Sequence, residues 1–221
     1  LSPDVINQVL DDPEALKLGG EKKEITVFFS DVRSFTTISE SLTPEQLCDL
    51  MNDYFTPMTD IVLRSKGTLD KYIGDAIMAF WGAPLDMPDA ADRACAASLE
   101  MLYALDKLQT DLRAKNFPPI DIGIGLNTGA MSVGNMGSGE RFTYTVMGDA
   151  VNLGARLEGL TKEYGVKILI SEFTRAKITR EDLVVRDLDD IRVKGKNEPV
   201  KIFELVRPDI VKTPQLLADL M

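Results

Sequence analysis

The sequence predicts an α+β domain in which helices pack on a mainly antiparallel sheet. Three observations carry that reading. Segments 24–31 and 76–81 are runs of apolar and β-branched residues, as buried strands are. Segments 43–65 and 89–115 are longer and repeat their apolar residues at helical spacing. The elements then follow one another as β-α-β-β-α-β, the order of a split βαβ sandwich of ferredoxin-like type with the helices over one face.

Taken in order, Ser2-Pro3-Asp4 caps a short lead helix with Val5, Ile6, Val9 and Leu10 on one stripe. Residues 14–23, with Gly19-Gly20, read as a connector into the first strand. Thr43-Pro44-Glu45 opens a helix whose stripe runs through Leu47, Leu50, Tyr54, Met58 and Ile61, and Pro57 predicts a kink or a division within it. Residues 68–73 and 76–81 form a hairpin about Gly74-Asp75, and residues 89–115 a long helix stopped by Phe117-Pro118-Pro119. Residues 120–127 and 130–136 read as a second hairpin across Thr128-Gly129, followed by a polar arm over 134–143. A helix over 150–164, a strand over 166–170, a short helix from Ser171, strands over 182–187, 190–193 and 199–206, and a capped tail complete the chain. The domain division is a lead helix and connector (1–20), a folded domain (21–207) and a tail (208–221).

The chain has 221 residues, is 44% hydrophobic and 27% charged, and so has ample length for one sizeable core. Its formal charge of −10 makes nucleic acid and anionic membrane unfavourable partners. An anionic small substrate must therefore be met by local cations or by metal. Cys48 and Cys95, the two cysteines, sit in helical patterns, which argues against a disulfide framework and for a reducing cytoplasm. There is no histidine, which removes Ser-His-Asp and Cys-His nucleophile systems and imidazole zinc sites. Catalysis must rest on carboxylates, Lys, Arg, amides, hydroxyls and bound metal.

Asp31 and Asp75 each stand where an apolar strand has to end or turn. Singly, either has an ordinary use in a turn. Together they are candidate ligands for a hard divalent cation, because carboxylate oxygens suit Mg²⁺ and two of them leave room for substrate phosphates. Asn152 and Arg156 are four apart in a helical segment and share a face, where an amide and a guanidinium can orient a sugar and neutralise charge at phosphorus. Lys194 and Lys196 flank Gly195 in a turn that can present cations and backbone N–H donors to an anion.

Four segments in this order, Phe28-Phe29-Ser30-Asp31-Val32-Arg33-Ser34-Phe35-Thr36, Lys71-Tyr72-Ile73-Gly74-Asp75, Gly148-Asp149-Ala150-Val151-Asn152-Leu153-Gly154-Ala155-Arg156 and Val193-Lys194-Gly195-Lys196, resemble the class III nucleotide cyclase catalytic domain. The resemblance spans about residues 21–206 and is closest to bacterial adenylate cyclases that carry Thr where many relatives have Asp. It implies that Asp31, Asp75 and the Val32 carbonyl bind two divalent ions, Mg²⁺ or Mn²⁺, and that Lys71 and Thr145 read the adenine edge. It implies further that Asn152 and Arg156 are the ribose-orienting and transition-state residues, and that Lys194 or Lys196 binds the triphosphate. ATP is then the substrate, cyclic AMP and pyrophosphate the products, and the sites are shared across a homodimer. A cytoplasmic location, no direct membrane contact, and an upstream sensor module are the remaining implications.

The alternatives differ in named residues. A guanylate cyclase on the same scaffold would want an acid at position 71, where this chain has Lys71. A catalytically idle relative would have lost a metal Asp, the Asn or the Arg, and all are present. A diguanylate cyclase would need a Gly-Gly-Asp/Glu-Glu-Phe hairpin, which Tyr72-Ile73-Gly74-Asp75-Ala76 does not match.

Overall fold

A computed structural model of the chain describes residues 18–138, 140–192 and 198–210. The expected lead helix, most of the tail, and both Lys194 and Lys196 lie outside them. Strand β1 (Gly19–Val32) begins earlier than its apolar run. Residues 19–23, expected as connector, are paired because Gly19 and Gly20 lie against Asn135 and Gly134 of strand β4 (Ile122–Gly137). The sheet has the order β2 (Thr68–Ile73), β3 (Ala76–Trp81), β1, β4, β6 (Ile168–Ser171), β8 (Val200–Leu205), β7 (Val185–Ile191), with β5 (Phe142–Met147) paired to the far half of β4. Among the described residues only the β4–β6 pairing is parallel, so the sheet is mainly antiparallel as expected.

Alternation along the strands sorts side chains to two faces. Phe28, Val32, Ile122, Ile124 and Leu126 pack under helices α2 (Pro44–Arg64) and α3 (Ala90–Ala114), which follow the short α1 (Phe35–Glu40). Ile25 and Val27 face the other way, where they meet Met131, Val133, Val146 and Val151. Helix α4 (Asp149–Tyr164) covers that second face, so the helices lie on both sides of the sheet rather than one. A short helix, α5 (Glu172–Arg175), follows β6. Among the described residues no helix is long and apolar enough to cross a membrane.

Helix α2 starts as its sequence predicts, with Thr43 and Gln46 exchanging side-chain-to-backbone bonds of 3.0 and 3.3 Å. It is not divided at Pro57. An interior proline costs about 3 kcal/mol. Tyr54, Met58, Ile61 and Val62 on either side are fully or almost fully buried, and each such side chain contributes about 1.5–3 kcal/mol, so the helix runs on.

The second predicted hairpin is instead one unbroken strand. Thr128 and Gly129 are ladder positions opposite Thr26 and Ile25. Thr128 bonds Thr26 across the ladder at 2.9 Å and donates to Thr174 at 3.1 Å, so its hydroxyl is satisfied without a turn. Gly129 makes room for a neighbour, since a Cβ there would lie 3.1 Å from that of Ala150. Likewise the two short strands expected over 182–193 are one, β7, with a register irregularity between Asp187 and Asp189. The residues expected as a polar arm mostly pair: β5 folds back on the end of β4, bringing the Tyr144 ring 6.3 Å from Phe80.

Candidate active site

Asp31 is the last residue but one of β1, and Asp75 follows Gly74 (φ 64°) in the two-residue β2–β3 turn. The backbone N–H of Val32 lies between them, 3.0 Å from Asp31 Oδ1 and 3.2 Å from Asp75 Oδ2. Burial, with the Asp31 carboxylate bonded alongside, pushes the Asp75 carboxyl up to about 7. Glu158 on α4 is also raised to about 7, by burial first and then by the charge of Asp31. Arg33 offsets this in part, but it is tethered elsewhere, donating to the Val166 carbonyl at 2.6 Å and standing 3.4 Å from Asp121.

Burial first, and the neighbouring carboxylate second, drives these acids toward their neutral form, and a cation bound beside them would favour the charged form. Among the described residues no group of three or more His, Cys, Asp or Glu could hold a metal ion by themselves. Two carboxylates plus backbone fit a hard divalent cation that keeps most of its coordination for water and phosphate oxygens.

Lys71 and Thr145 come from opposite parts of the sheet and meet because the β4–β5 arm folds over: Lys71 Nζ donates to Thr145 Oγ1 at 3.4 Å. A third residue joins them. Asp70, whose side chain is 0% exposed, lies 3.0 Å from Lys71 Nζ and accepts the Thr145 hydroxyl. Neighbours in a regular strand face opposite ways, but here the register slips between Leu69 (opposite Ala79) and Lys71 (opposite Met78). That bulge turns Asp70 to the same side as Lys71.

Asn152 and Arg156 lie on the outer face of α4, exposed, while Val151, Leu153, Gly154 and Leu157 are buried. Among the described residues neither side chain makes a hydrogen bond or ion pair. Arg33 is the cation that bears on Glu158, whereas Arg156 is only two residues away. Within one chain, then, Arg156 is not among the charges that bear on Glu158.

Sequence reasoning missed Glu158 and Asp70. Glu158 was open to detection: with Val151, Gly154 and Thr161 it continues the sheet-facing spacing of α4. Asp70 was not, because strand alternation puts it on the wrong face.

The adenylate and guanylate cyclase catalytic domain family matches residues 19–206. A terminal-differentiation specific adenylate cyclase of Dictyostelium discoideum is 39% identical over 186 residues, covering 83% of this chain and 9% of that protein. The crystal structure of the adenylyl cyclase CyaB from P. aeruginosa superposes with a TM-score of 0.79 at 38% identity, covering 86% of this chain and 96% of that one. The guanylyl cyclase Cya2 is nearly as similar, with a TM-score of 0.77 at 36% identity over 85% of this chain and 94% of the other. The chain spans from 9% to 37% of the length of three curated adenylate cyclases that it matches. With nearly every described residue inside the matched region, the chain belongs to the adenylate and guanylate cyclase catalytic domain family.

Proposed function

We propose that this domain is an adenylate cyclase, converting ATP to 3′,5′-cyclic AMP and pyrophosphate in sites shared between two copies of the chain. The observation that carries the choice of ATP is the contact of Lys71 with Thr145. An ammonium group donates only, so it suits the acceptor N1 of adenine and leaves the N1–H of guanine without a partner. The Thr145 hydroxyl can accept from the 6-amino group.

Asp31, Asp75 and the Val32 carbonyl would hold the divalent ions, Mg²⁺ or Mn²⁺. Such ions, when bound, supply an acidified 3′-hydroxyl and a sink for the leaving phosphates. The rest is the work of side chains. Asn152 fixes the ribose so that the hydroxyl meets the α-phosphorus in line. Arg156 donates to the crowded phosphoryl oxygens as charge grows on them, an interaction worth about 3 kcal/mol in comparable sites. Lys194 or Lys196 grips the triphosphate.

Support for a site shared between two copies comes from Asn152 and Arg156, which are exposed on α4 and make no hydrogen bond or ion pair among the described residues of their own chain. Support also comes from exposed apolar residues on the β2–β3 and β4–β5 hairpins: Tyr72, Ile73, Phe142 and Met147 are 43, 53, 40 and 57% exposed. A homodimer joined to an upstream sensor module, with its catalytic domain in the cytoplasm, completes the reading.

A guanylate cyclase is the second reading, because Cya2 is almost as similar as CyaB. Purified protein given Mn²⁺ or Mg²⁺ with ATP or GTP separates them. Cyclic AMP as the dominant product is expected; conversion of GTP to cyclic GMP at equal or greater kcat/KM, or no turnover of either nucleotide, overturns the assignment.

A further inference from the structure

The Asp70 side chain is fully buried, beside a lysine and a threonine that come together from distant strands. Its Oδ2 accepts the hydroxyl proton of Thr145, itself 7% exposed, and its Oδ1 lies 3.0 Å from Lys71 Nζ. A hydroxyl has one proton and two lone pairs. At Thr145 the proton is committed to Asp70 and one lone pair faces Lys71 at 3.4 Å. What remains is an acceptor.

We propose that Asp70 is a positioning residue for base choice: by taking the Thr145 proton it fixes that hydroxyl as an acceptor, suited to a purine exocyclic amine and unsuited to a purine carbonyl. The proposal rests on the reading that Lys71 and Thr145 face the base. Thr145 alone has no such preference, because a free hydroxyl turns to donate or accept as its partner requires. The selectivity therefore resides one layer behind the atom that touches the nucleotide. Asp70 also holds the Lys71 ammonium beside Thr145, a second contribution to base choice that acts through Lys71 and not through the Thr145 proton.

Asp70→Asn separates the two tasks. The amide keeps the shape, can turn its oxygen to Lys71, and then donates its N–H to Thr145, freeing the Thr145 proton to meet a carbonyl. The test measures kcat/KM for ATP and for GTP with Mn²⁺, in the dimeric protein, for wild type, D70N, T145V, K71E and the double variant D70N/T145V. D70N is expected to narrow the ATP:GTP ratio about tenfold, chiefly by raising GTP turnover, and to add nothing in the T145V background. An unchanged ratio in D70N while T145V and K71E lower theirs overturns the role of Asp70 alone. Unchanged ratios in all of them overturn the base-reading assignment beneath it as well. If D70N fails to give a folded dimer by thermal melting and gel filtration, Thr145→Asn decides the matter with Asp70 intact. Its amide would turn N–H to Asp70 and oxygen to the base, so ATP preference is retained, and a ratio as low as that of T145V overturns the proposal.

Discussion

Gly125 of β4 lies directly beneath Glu158 of α4: a Cβ on the glycine would sit 2.2 Å from the Glu158 backbone nitrogen. The helix that carries Asn152 and Arg156 is seated on the sheet by this missing side chain, and Glu158 on it feels the charge of Asp31.

Gly125→Ala is therefore expected to lift α4 and cost about 1–3 kcal/mol, the usual penalty for overpacking. Gly159, on the same helix but with nothing within 4 Å of its would-be Cβ, is the control. Gly159→Ala should stabilise by about 0.5–1 kcal/mol through helix propensity. Urea unfolding of both variants measures the contrast, and equal midpoints would show that α4 is not seated this way.

The acid pair predicts how stability depends on pH in EDTA. Asp75 and Glu158 carry folded-state values of about 7 against ordinary values of 3.8 and 4.5. The folded chain keeps protons there that the unfolded chain has already released. The stability these two groups contribute is fully present below pH about 4 and is lost as pH rises through about 7. The metal-free protein should thus melt lower at about pH 8 than at about pH 6, Mn²⁺ should restore more at the higher pH, and Asp75→Asn should flatten the profile. A melting temperature that rises over this interval would contradict it.

Site sharing across the dimer predicts complementation. Asp31→Ala and Arg156→Ala should each be inactive alone. Mixed equally, about half the dimers are mixed and each holds one intact site of two, so about a quarter of wild-type activity should return. Cyclic AMP formation after mixing measures it, and no recovery would place each site within one chain.

Lys71→Glu should lower ATP kcat/KM by about 5–150-fold, the cost of an unpartnered or opposed hydrogen bond of roughly 1–3 kcal/mol, and relax base choice toward GTP. Competition between the two nucleotides reads both effects. Wild-type ATP kinetics in this variant would remove Lys71 from the base pocket.

Much of this architecture was legible because its signals are local. The Thr43-Pro44 cap, the apolar stripe of α2, and the strands ending at Asp31 and Asp75 need only neighbours in sequence to declare themselves. What failed was decided at a distance. Thr128-Gly129 looks like a turn until Thr26 and Thr174 are seen to satisfy the threonine and Ala150 to need the glycine's space. Pro57 looks like a break until the burial of Tyr54 and Met58 outweighs it. The meeting of Lys71 with Thr145 was reached through resemblance, since 74 residues separate them and only the folded-back arm joins them. Asp70 needed the register itself.

The extra residue that displaces the ladder at Asp70 has an evolutionary corollary. Deleting Asp70 would restore strict alternation from Leu69 through Lys71 and remove the acid from behind Thr145. If Lys71 and Thr145 read the base as proposed, nucleotide preference depends on the length of this short segment as well as on its residues, and the loss of one position there would erase it with every recognised motif still in place.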